Sequence, residues 1–284
     1  MEKLALFVRL DYSTKASMRT QSLLDDRSST ATVAPTKVVS LHEVRVRCVS
    51  CAVRPYCLPV GLADDVVTGL DSIITSHVRV RKRGVLYWPG DAFGALYAIR
   101  IGMFKTVALA PDGREQITGF HMAGDIVGLD GISSGRYGCQ AIALEDSEVC
   151  VVPFKQLDEL ALELSTLRRN LYRVISRDIC RDHDMLLSLG SRCAEERLVL
   201  FLLNLAERYQ ARGYSASEFV LRMTREEIAS YLGLKLETVS RLFSHLQGEG
   251  LIQVQGRAVK LLDSPALKQR VGQLADRAPG HRDA

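Results

Sequence analysis

Three cysteines lie within ten residues of one another in the first quarter of the chain, at Cys48, Cys51 and Cys57. Thiolates separated by two and five residues can bind one soft metal centre, because the loops between them are long enough to turn and too short to form separate elements. Thiolate ligands favour iron–sulfur clusters, zinc or copper(I). Three ligands leave a tetrahedral or cubane site one ligand short, so we expect a fourth from elsewhere in the chain.

A second pattern with chemical meaning lies far downstream, between residues 224 and 243. Thr224 and Glu227 have the spacing of a helix capping box. Ala229 is small where two helices must approach closely, and Gly233 supplies a left-handed turn residue. The order of cap, small residue and turn glycine predicts a helix-turn-helix.

The second helix of this motif presents Glu237, Ser240 and Arg241 on its outer side. An arginine can donate two hydrogen bonds to guanine, and a carboxylate can accept one from cytosine. Lys235 stands where a serine or threonine would cap the helix, and it can contact a phosphate, as can Thr224. The alternative is that Glu237 and Arg241, one helical turn apart, form an ordinary exposed salt bridge.

The surrounding segments indicate what positions these groups. Between about residues 79 and 154, short β-rich segments alternate with turn signals roughly every 8–12 residues, which predicts an antiparallel jelly roll. After the helix-turn-helix, two alternating segments flank Gly256-Arg257, which predicts a hairpin that forms a wing.

A helical pattern joins the β-rich region to the helix-turn-helix, from residue 154 to residue 189. Its narrow apolar stripe predicts a dimer interface, and the alternative is a helix packed on its own β domain. Asp182 interrupts the stripe. Either it repels its two-fold mate and makes the dimer conditional, or it pairs across the interface with Arg177 or Arg181. The predicted interface residues are Leu171, Ile175, Ile179, Asp182, Leu186 and Leu189.

The composition is that of an ordinary globular protein. The 284 residues include 47% apolar and 25% charged residues, with a formal net charge of +4, and allow two domains. No apolar run is long enough to cross a membrane, and the apolar start of the chain is too short and interrupted for a secretory signal. Seven cysteines, an odd number, favour free thiols and therefore the cytoplasm.

Together these motifs resemble the fumarate and nitrate reduction regulators, the FNR branch of the cyclic-AMP receptor protein superfamily. The resemblance covers residues 48 to 263. Besides the cysteine triplet, the matching stretches are LYAIR (96–100), EQITGFH (115–121), GDIVG (124–128), VCVVPF (149–154), AEERL (194–198) and ETVSR (237–241).

The resemblance implies a transcription regulator rather than an enzyme. It implies a [4Fe-4S] cluster on Cys48, Cys51, Cys57 and Cys150, which maintains a homodimer without oxygen and converts to a [2Fe-2S] form in air. The dimer would bind an inverted repeat of double-stranded DNA with TTGAT-like half-sites, and RNA polymerase would be a partner. The remaining cysteines match no family ligand, so we expect them to be small buried hydrophobes: Cys139, Cys180 and Cys193.

Three alternatives follow from the same residues. The superfamily's nucleotide pocket would correspond to Gly124-Asp125 and Arg136-Tyr137-Gly138, which lack the hydroxyl and alanine of a phosphate cradle, so we expect no cyclic nucleotide. A zinc-stabilised constitutive DNA-binding regulator would use the same thiols. A redox enzyme would need a nucleotide or flavin motif, and the sequence has none.

The expected fold is α+β with five parts. These are a flexible leader (1–40), a cysteine loop with a jelly-roll sensor domain (41–160), a dimerisation helix (161–190), a winged helix-turn-helix (191–263) and a polar tail (264–284).

Overall fold

The computed structural model describes residues 47–74, 76–110 and 112–275, with side chains to residue 271. The predicted leader over residues 1–40 lies outside the described residues. In the parts of the chain that are described, no helix is long and apolar enough to cross a membrane.

Two four-stranded antiparallel sheets form the predicted jelly roll. The strands are β1 (Ser76–Val80), β2 (Val85–Tyr87), β3 (Ala95–Ile101), β4 (Met103–Leu109), β5 (Glu115–Met122), β6 (Ile126–Val127), β7 (Gln140–Ala143) and β8 (Ser147–Pro153). One sheet has the strand order β1-β8-β3-β6 and the other β2-β7-β4-β5. The antiparallel β class predicted from the turn spacing is therefore confirmed.

The interior of the roll is built from residues that alternate along these strands. Ile99 and Val149 of one sheet pack against Phe104 and Ala141 of the other, and all four are essentially inaccessible to solvent. Gly102 joins β3 to β4 with a φ of +91°, and a Cβ there would lie 2.9 Å from Ser147 Cα. Only glycine fits this turn, because a side chain would collide with β8.

Four helices lie on and beside the roll: α1 (Asp64–Ile73), the one-turn α2 (Gly131–Ser134), α3 (Phe154–Glu163) and the long α4 (Ser165–Ser191). The helical pattern that begins at residue 154 is broken at Leu164, whose backbone is extended. The first turns of α4 bury Leu167, Asn170 and Leu171, and its later turns are more exposed, although Arg181 still bonds Asp125 of the roll.

The C-terminal domain is a winged helix-turn-helix. Its elements are α5 (Ala194–Ala211), β9 (Glu218–Val220), α6 (Arg225–Leu232), α7 (Leu236–Gly248), β10 (Ile252–Gln255), β11 (Ala258–Leu261) and α8 (Ser264–Ala275). The wing hairpin turns at Gly256, as predicted, and pairs with the three-residue β9, which the sequence pattern did not indicate. The tail predicted from residue 264 is wrong as far as Ala275, because α8 buries Leu267 against the domain core.

The two domains share one apolar core. Met103, Val107 and Ile117 of the roll belong to the same buried cluster as Leu202 of α5 and Ile228 of α6. Phe120 of β5 packs against Phe201 and Tyr231, at ring-centroid distances of 6.0 and 5.0 Å. A rearrangement of the roll would therefore displace side chains that pack directly against the helices of the helix-turn-helix domain.

Candidate functional site

The cysteine loop is a chain of tight turns. Two short 3₁₀ segments, Cys48–Ser50 and Arg54–Tyr56, follow one another, and the second contains Pro55 in its first turn. The Cys51 N–H donates to Cys48 O at 3.2 Å, and the Cys57 N–H donates to Arg54 O at 3.4 Å. These turns satisfy the backbone locally, so the loop needs no strand partner to hold its cysteines.

Three side chains from outside this segment fix the loop to the protein. The Cys48 N–H donates to Asp71 Oδ1 on α1 at 2.6 Å. Buried Asn170 on α4 donates to Leu58 O at 3.2 Å and to Val60 O at 2.7 Å. The Arg54 guanidinium bonds Leu62 O and pairs with Asp64, both at 2.8 Å. The sequence analysis missed Asn170, and a polar residue beside the apolar stripe of α4 was the available signal.

Cys150 lies in the middle of β8, opposite His77 of β1 and Ala98 of β3. It is 9% exposed and belongs to the same apolar cluster as Leu58, with Cys48 and Cys57 packed against that cluster. The roll therefore presents the distant fourth thiol to the loop that carries the other three.

Burial controls the acidity of these thiols. It raises the pKa of Cys57 to about 12 and that of Cys150 to about 12, and nearby thiols, including Cys51, add to the shift. Burial also raises the pKa of Cys48, helped by Asp71, Cys57 and Cys150. All four cysteines are thus close enough to influence one another. Without a bound cation the thiols of Cys48, Cys57 and Cys150 are protonated at neutral pH, so metal binding would release protons.

The other cysteines lie elsewhere. Cys180 on α4 and Cys193 are exposed, so the expectation that they are buried hydrophobes is wrong. Cys193 instead stands at the N-cap of α5, where its N–H donates to Glu196 Oε2 at 2.8 Å within a capping box. Cys139 is half-buried beside Asp130, and burial raises its pKa to about 12.

The helix-turn-helix has the local geometry that its sequence predicts. The Glu227 N–H donates to Thr224 Oγ1 at 3.1 Å, and the Thr224 N–H donates to Glu227 Oε2 at 2.6 Å. Gly233 has a φ of +63°, and a Cβ there would lie 3.1 Å from Leu189 Cδ2. Ile228, Ala229 and Leu232 are buried, which leaves the opposite side of the motif free.

The predicted reading residues lie on that free side. Glu237, Ser240 and Arg241 of α7 are all exposed, and Lys235 stands at the N-cap of α7 without capping it through its side chain. The sequence analysis missed Arg225, the first residue of α6, whose guanidinium carbon lies 3.1 Å from the centre of the Phe243 ring. This contact connects the two helices of the motif.

The apolar stripe of α4 has two different environments. Leu171 is 5% exposed and packs within its own protomer, whereas Leu189 is half-buried and lies beside Gly233. Ile175 is partly buried against the roll. Ile179 and Leu186 are 48% and 66% exposed, and Asp182 lies between them at the surface.

The charged residues of the two segments compared with a nucleotide pocket make contacts within the protein. Arg136 is at the surface and donates to Gly90 O at 2.7 Å. Asp125 is 5% exposed and is paired with Arg181, Arg208 and Arg212.

Comparison with known proteins identifies both domains. Residues 196–270 match the Crp-like helix-turn-helix domain and residues 77–163 match the cyclic nucleotide-binding domain. The transcriptional regulatory protein btr of Bordetella pertussis is 47% identical over 235 residues, which are 83% of this chain and 97% of the relative. The fumarate and nitrate reduction regulatory protein of Escherichia coli K12 is 42% identical over 227 residues, which are 80% of this chain and 91% of the relative.

The chain belongs to the fumarate and nitrate reduction regulator family. The solved structure of FixK2 from Bradyrhizobium japonicum has the same fold, with a TM-score of 0.62 and 31% identity over 70% of this chain and 96% of that one. This member of the family is therefore a DNA-binding transcription regulator and not an enzyme. The resemblance drawn from the sequence motifs is confirmed.

Proposed function

We propose that this regulator responds to oxygen through a [4Fe-4S] cluster held by Cys48, Cys51, Cys57 and Cys150. The observation that carries the proposal is the meeting of the cysteine loop with a buried thiol from the middle of a roll strand. A lone structural loop has no need of a fourth thiol from β8. The name of the Escherichia coli relative adds support, since it describes a regulator of fumarate and nitrate reduction.

The chain's own residues would do three things for such a cluster. The four thiols would bind it as thiolates, Leu58 and its apolar neighbours would limit solvent access, and Asn170 would connect the loop to α4. When bound, the cluster supplies reactivity towards oxygen. Because Asn170 precedes the exposed part of α4, the state of the loop can affect the surface that we propose as the homodimer interface.

The DNA site follows from α7. We propose that the homodimer binds an inverted repeat with TTGAT-like half-sites, with Arg241 on guanine and Glu237 beside it in the major groove. RNA polymerase is the expected protein partner.

The deciding experiment is anaerobic purification with iron and sulfide counting, followed by DNA-shift assays before and after air. We expect a brown protein with equal iron and sulfide that binds the repeat only before air. A colourless protein that contains zinc and binds DNA equally in both atmospheres would instead identify the constitutive zinc-stabilised regulator.

A further inference from the structure

Asp125 is a buried carboxylate on which three arginines converge. It lies in the turn between β5 and β6, and its side chain is 3% exposed. Its Oδ1 accepts from Arg212 at 3.0 Å and from Arg181 at 3.2 Å. Its Oδ2 accepts from Arg208 at 2.5 Å and from the Met122 N–H at 2.9 Å.

The three arginines come from two helices outside the roll or from the residue that follows one of them. Arg181 is on α4, and Arg208 is on α5 of the DNA-binding domain, with Arg212 just beyond its end. Arg208 also donates to Phe120 O at 2.9 Å, and Arg212 to Ala123 O at 2.6 Å. Residues 120–125 of the roll are therefore bonded to α5 by side chains that are at most 15% exposed.

Like charges are crowded at this point. Asp125 pairs with three guanidinium groups, of which those of Arg208 and Arg212 are largely closed to water, while Arg181 is 34% exposed and also lies near the carboxyl groups of Asp178 and Asp182. The arginines repel one another and are held together by Asp125 and the carbonyl groups. Such an arrangement is sensitive to small displacements, because each hydrogen bond opposes a repulsion.

The cysteine loop contacts this arrangement through Tyr56, the residue directly before Cys57. A Cβ on Gly124 would lie 2.8 Å from Tyr56 Cβ, so the loop and the turn are in direct contact with no space between them. The Arg212 guanidinium carbon lies 5.8 Å from the centre of the Tyr56 ring, within the range of a cation–π contact. A displacement of Cys57 thus acts on both Gly124 and Arg212.

We propose that Tyr56, together with the cluster formed by Asp125, Arg181, Arg208 and Arg212, transmits the state of the cysteine loop to the DNA-binding domain. Tyr56 is a positioning residue here, since it acts through Arg212 and the 124–125 turn. When Cys57 changes its ligation, Tyr56 shifts against the turn, the balance among the three arginines changes, and α5 moves relative to α4 and the roll. This inference rests on the proposed function, because it takes the cysteine loop as the sensor.

The test compares Tyr56→Ala with Val49→Ala, a matched change at an exposed position of the same loop. Iron and sulfide content, DNA affinity and hydrogen exchange of residues 206–212 are measured for the loaded and the cluster-free protein. In wild type and Val49→Ala, loading should change both DNA affinity and exchange. In Tyr56→Ala, with the same iron content, the ratio of loaded to cluster-free DNA affinity should fall to near unity.

A second variant keeps the test decisive if Tyr56→Ala holds less iron. Arg212→Lys is remote from the loop in sequence and retains the charge, but it loses the forked contacts to Asp125 and Ala123, so it should reduce the same ratio at full iron content. If both variants kept the wild-type ratio of loaded to cluster-free DNA affinity, the proposal that Tyr56 and Arg212 transmit the state of the loop would be overturned.

Failure of the proposed function gives a different result. If the wild-type protein contains no iron or sulfide, the proposed cluster is ruled out. Hydrogen exchange of the cluster-free proteins still reports the contact between Tyr56 and Arg212. We expect residues 206–212 to exchange faster in Tyr56→Ala and Arg212→Lys than in wild type and Val49→Ala. Equal exchange in all four would show that Tyr56 and α5 are not linked.

Discussion

Cys150 differs from the other proposed ligands because a strand of the roll, rather than the loop, fixes its position. Replacing any one of the four cysteines with serine should remove the visible chromophore, because a buried hydroxyl does not supply the soft anionic ligand that iron requires. Iron and sulfide analysis with absorption spectra measures this. Cys180→Ser, at an exposed position on α4, is the control and should retain the full cluster. A Cys150→Ser protein with a complete cluster would contradict the ligand assignment.

Arg241 and Lys235 are both exposed at α7, but they should affect DNA binding differently. Loss of a bidentate contact to guanine costs about 1–3 kcal/mol, so Arg241→Ala should relax the preference at that base pair. Lys235→Ala should weaken all sequences about equally and reduce the salt dependence. Binding to a set of half-sites with single substitutions, at two salt concentrations, separates these effects. If Arg241→Ala weakened every site equally, Arg241 would be a phosphate contact.

At the scale of elements, Glu227 holds α6, the first helix of the helix-turn-helix, in two ways. Its carboxylate accepts from the Thr224 N–H and pairs with Lys105 of the roll at 2.8 Å, in a contact whose two side chains are 18% and 20% exposed. Glu227→Gln should therefore lower the free energy of unfolding by about 1–2 kcal/mol. Glu226→Gln, in the same turn but exposed, is the matched control and should change it little. Urea denaturation at neutral pH measures the difference.

The same contact has a predictable pH dependence. Burial opposes ionisation of Glu227, but hydrogen bonds from Lys105 and Thr224 outweigh it and lower its pKa. A lowered pKa in the folded state gives stability that is complete above the unfolded value of about 4.3 and is lost as pH falls through the folded value. The stability difference between wild type and Glu227→Gln should therefore shrink on acidification. A difference that grew as the pH fell would show that the charge of Glu227 does not stabilise the contact.

At the scale of the whole molecule, Asp182 should control assembly. Burial and the charge of Asp182 raise the pKa of Asp178, one turn earlier on α4, to about 6, and burial raises the pKa of Asp182 itself. A two-fold mate would add further negative charge to this side of the helix. Asp182→Ala should therefore dimerise and bind DNA even in air, because Ile179 and Leu186 can then bury without that cost.

Sedimentation of the variant in air and without oxygen measures the effect. Asp184→Ala is the control, since this exposed residue lies about 200° further around the helix. The alternative, a salt bridge across the interface, predicts that Asp182→Ala weakens the anaerobic dimer. Arg181, one proposed partner, is bonded to Asp125 within its own chain, which favours the repulsion. An Asp182→Ala protein that stays monomeric in air would overturn the hypothesis that repulsion between the two Asp182 side chains prevents dimerisation.

The sequence by itself determined the features that depend on local periodicity and local hydrogen bonding. The capping box at Thr224, the turn glycine Gly233, the wing hairpin and the alternating strands of the roll all follow from residues a few positions apart. The cysteine triplet is local for the same reason. Amphipathic period, caps and turn residues act within one or two turns of chain, so they can be identified without knowing the fold.

Only the tertiary structure decided which distant groups meet. Spacing could not choose Cys150 from the four remaining cysteines, and the resemblance supplied that choice. β9 was missed because three residues carry no periodic signal, and α8 was missed because polar residues separate its apolar ones, although Leu267 is buried in the core. Asp125 meets arginines 56, 83 and 87 residues away, which no sequence period encodes. Such contacts depend on how the roll, α4 and α5 pack, because burial and charge balance are properties of the assembled protein rather than of any segment.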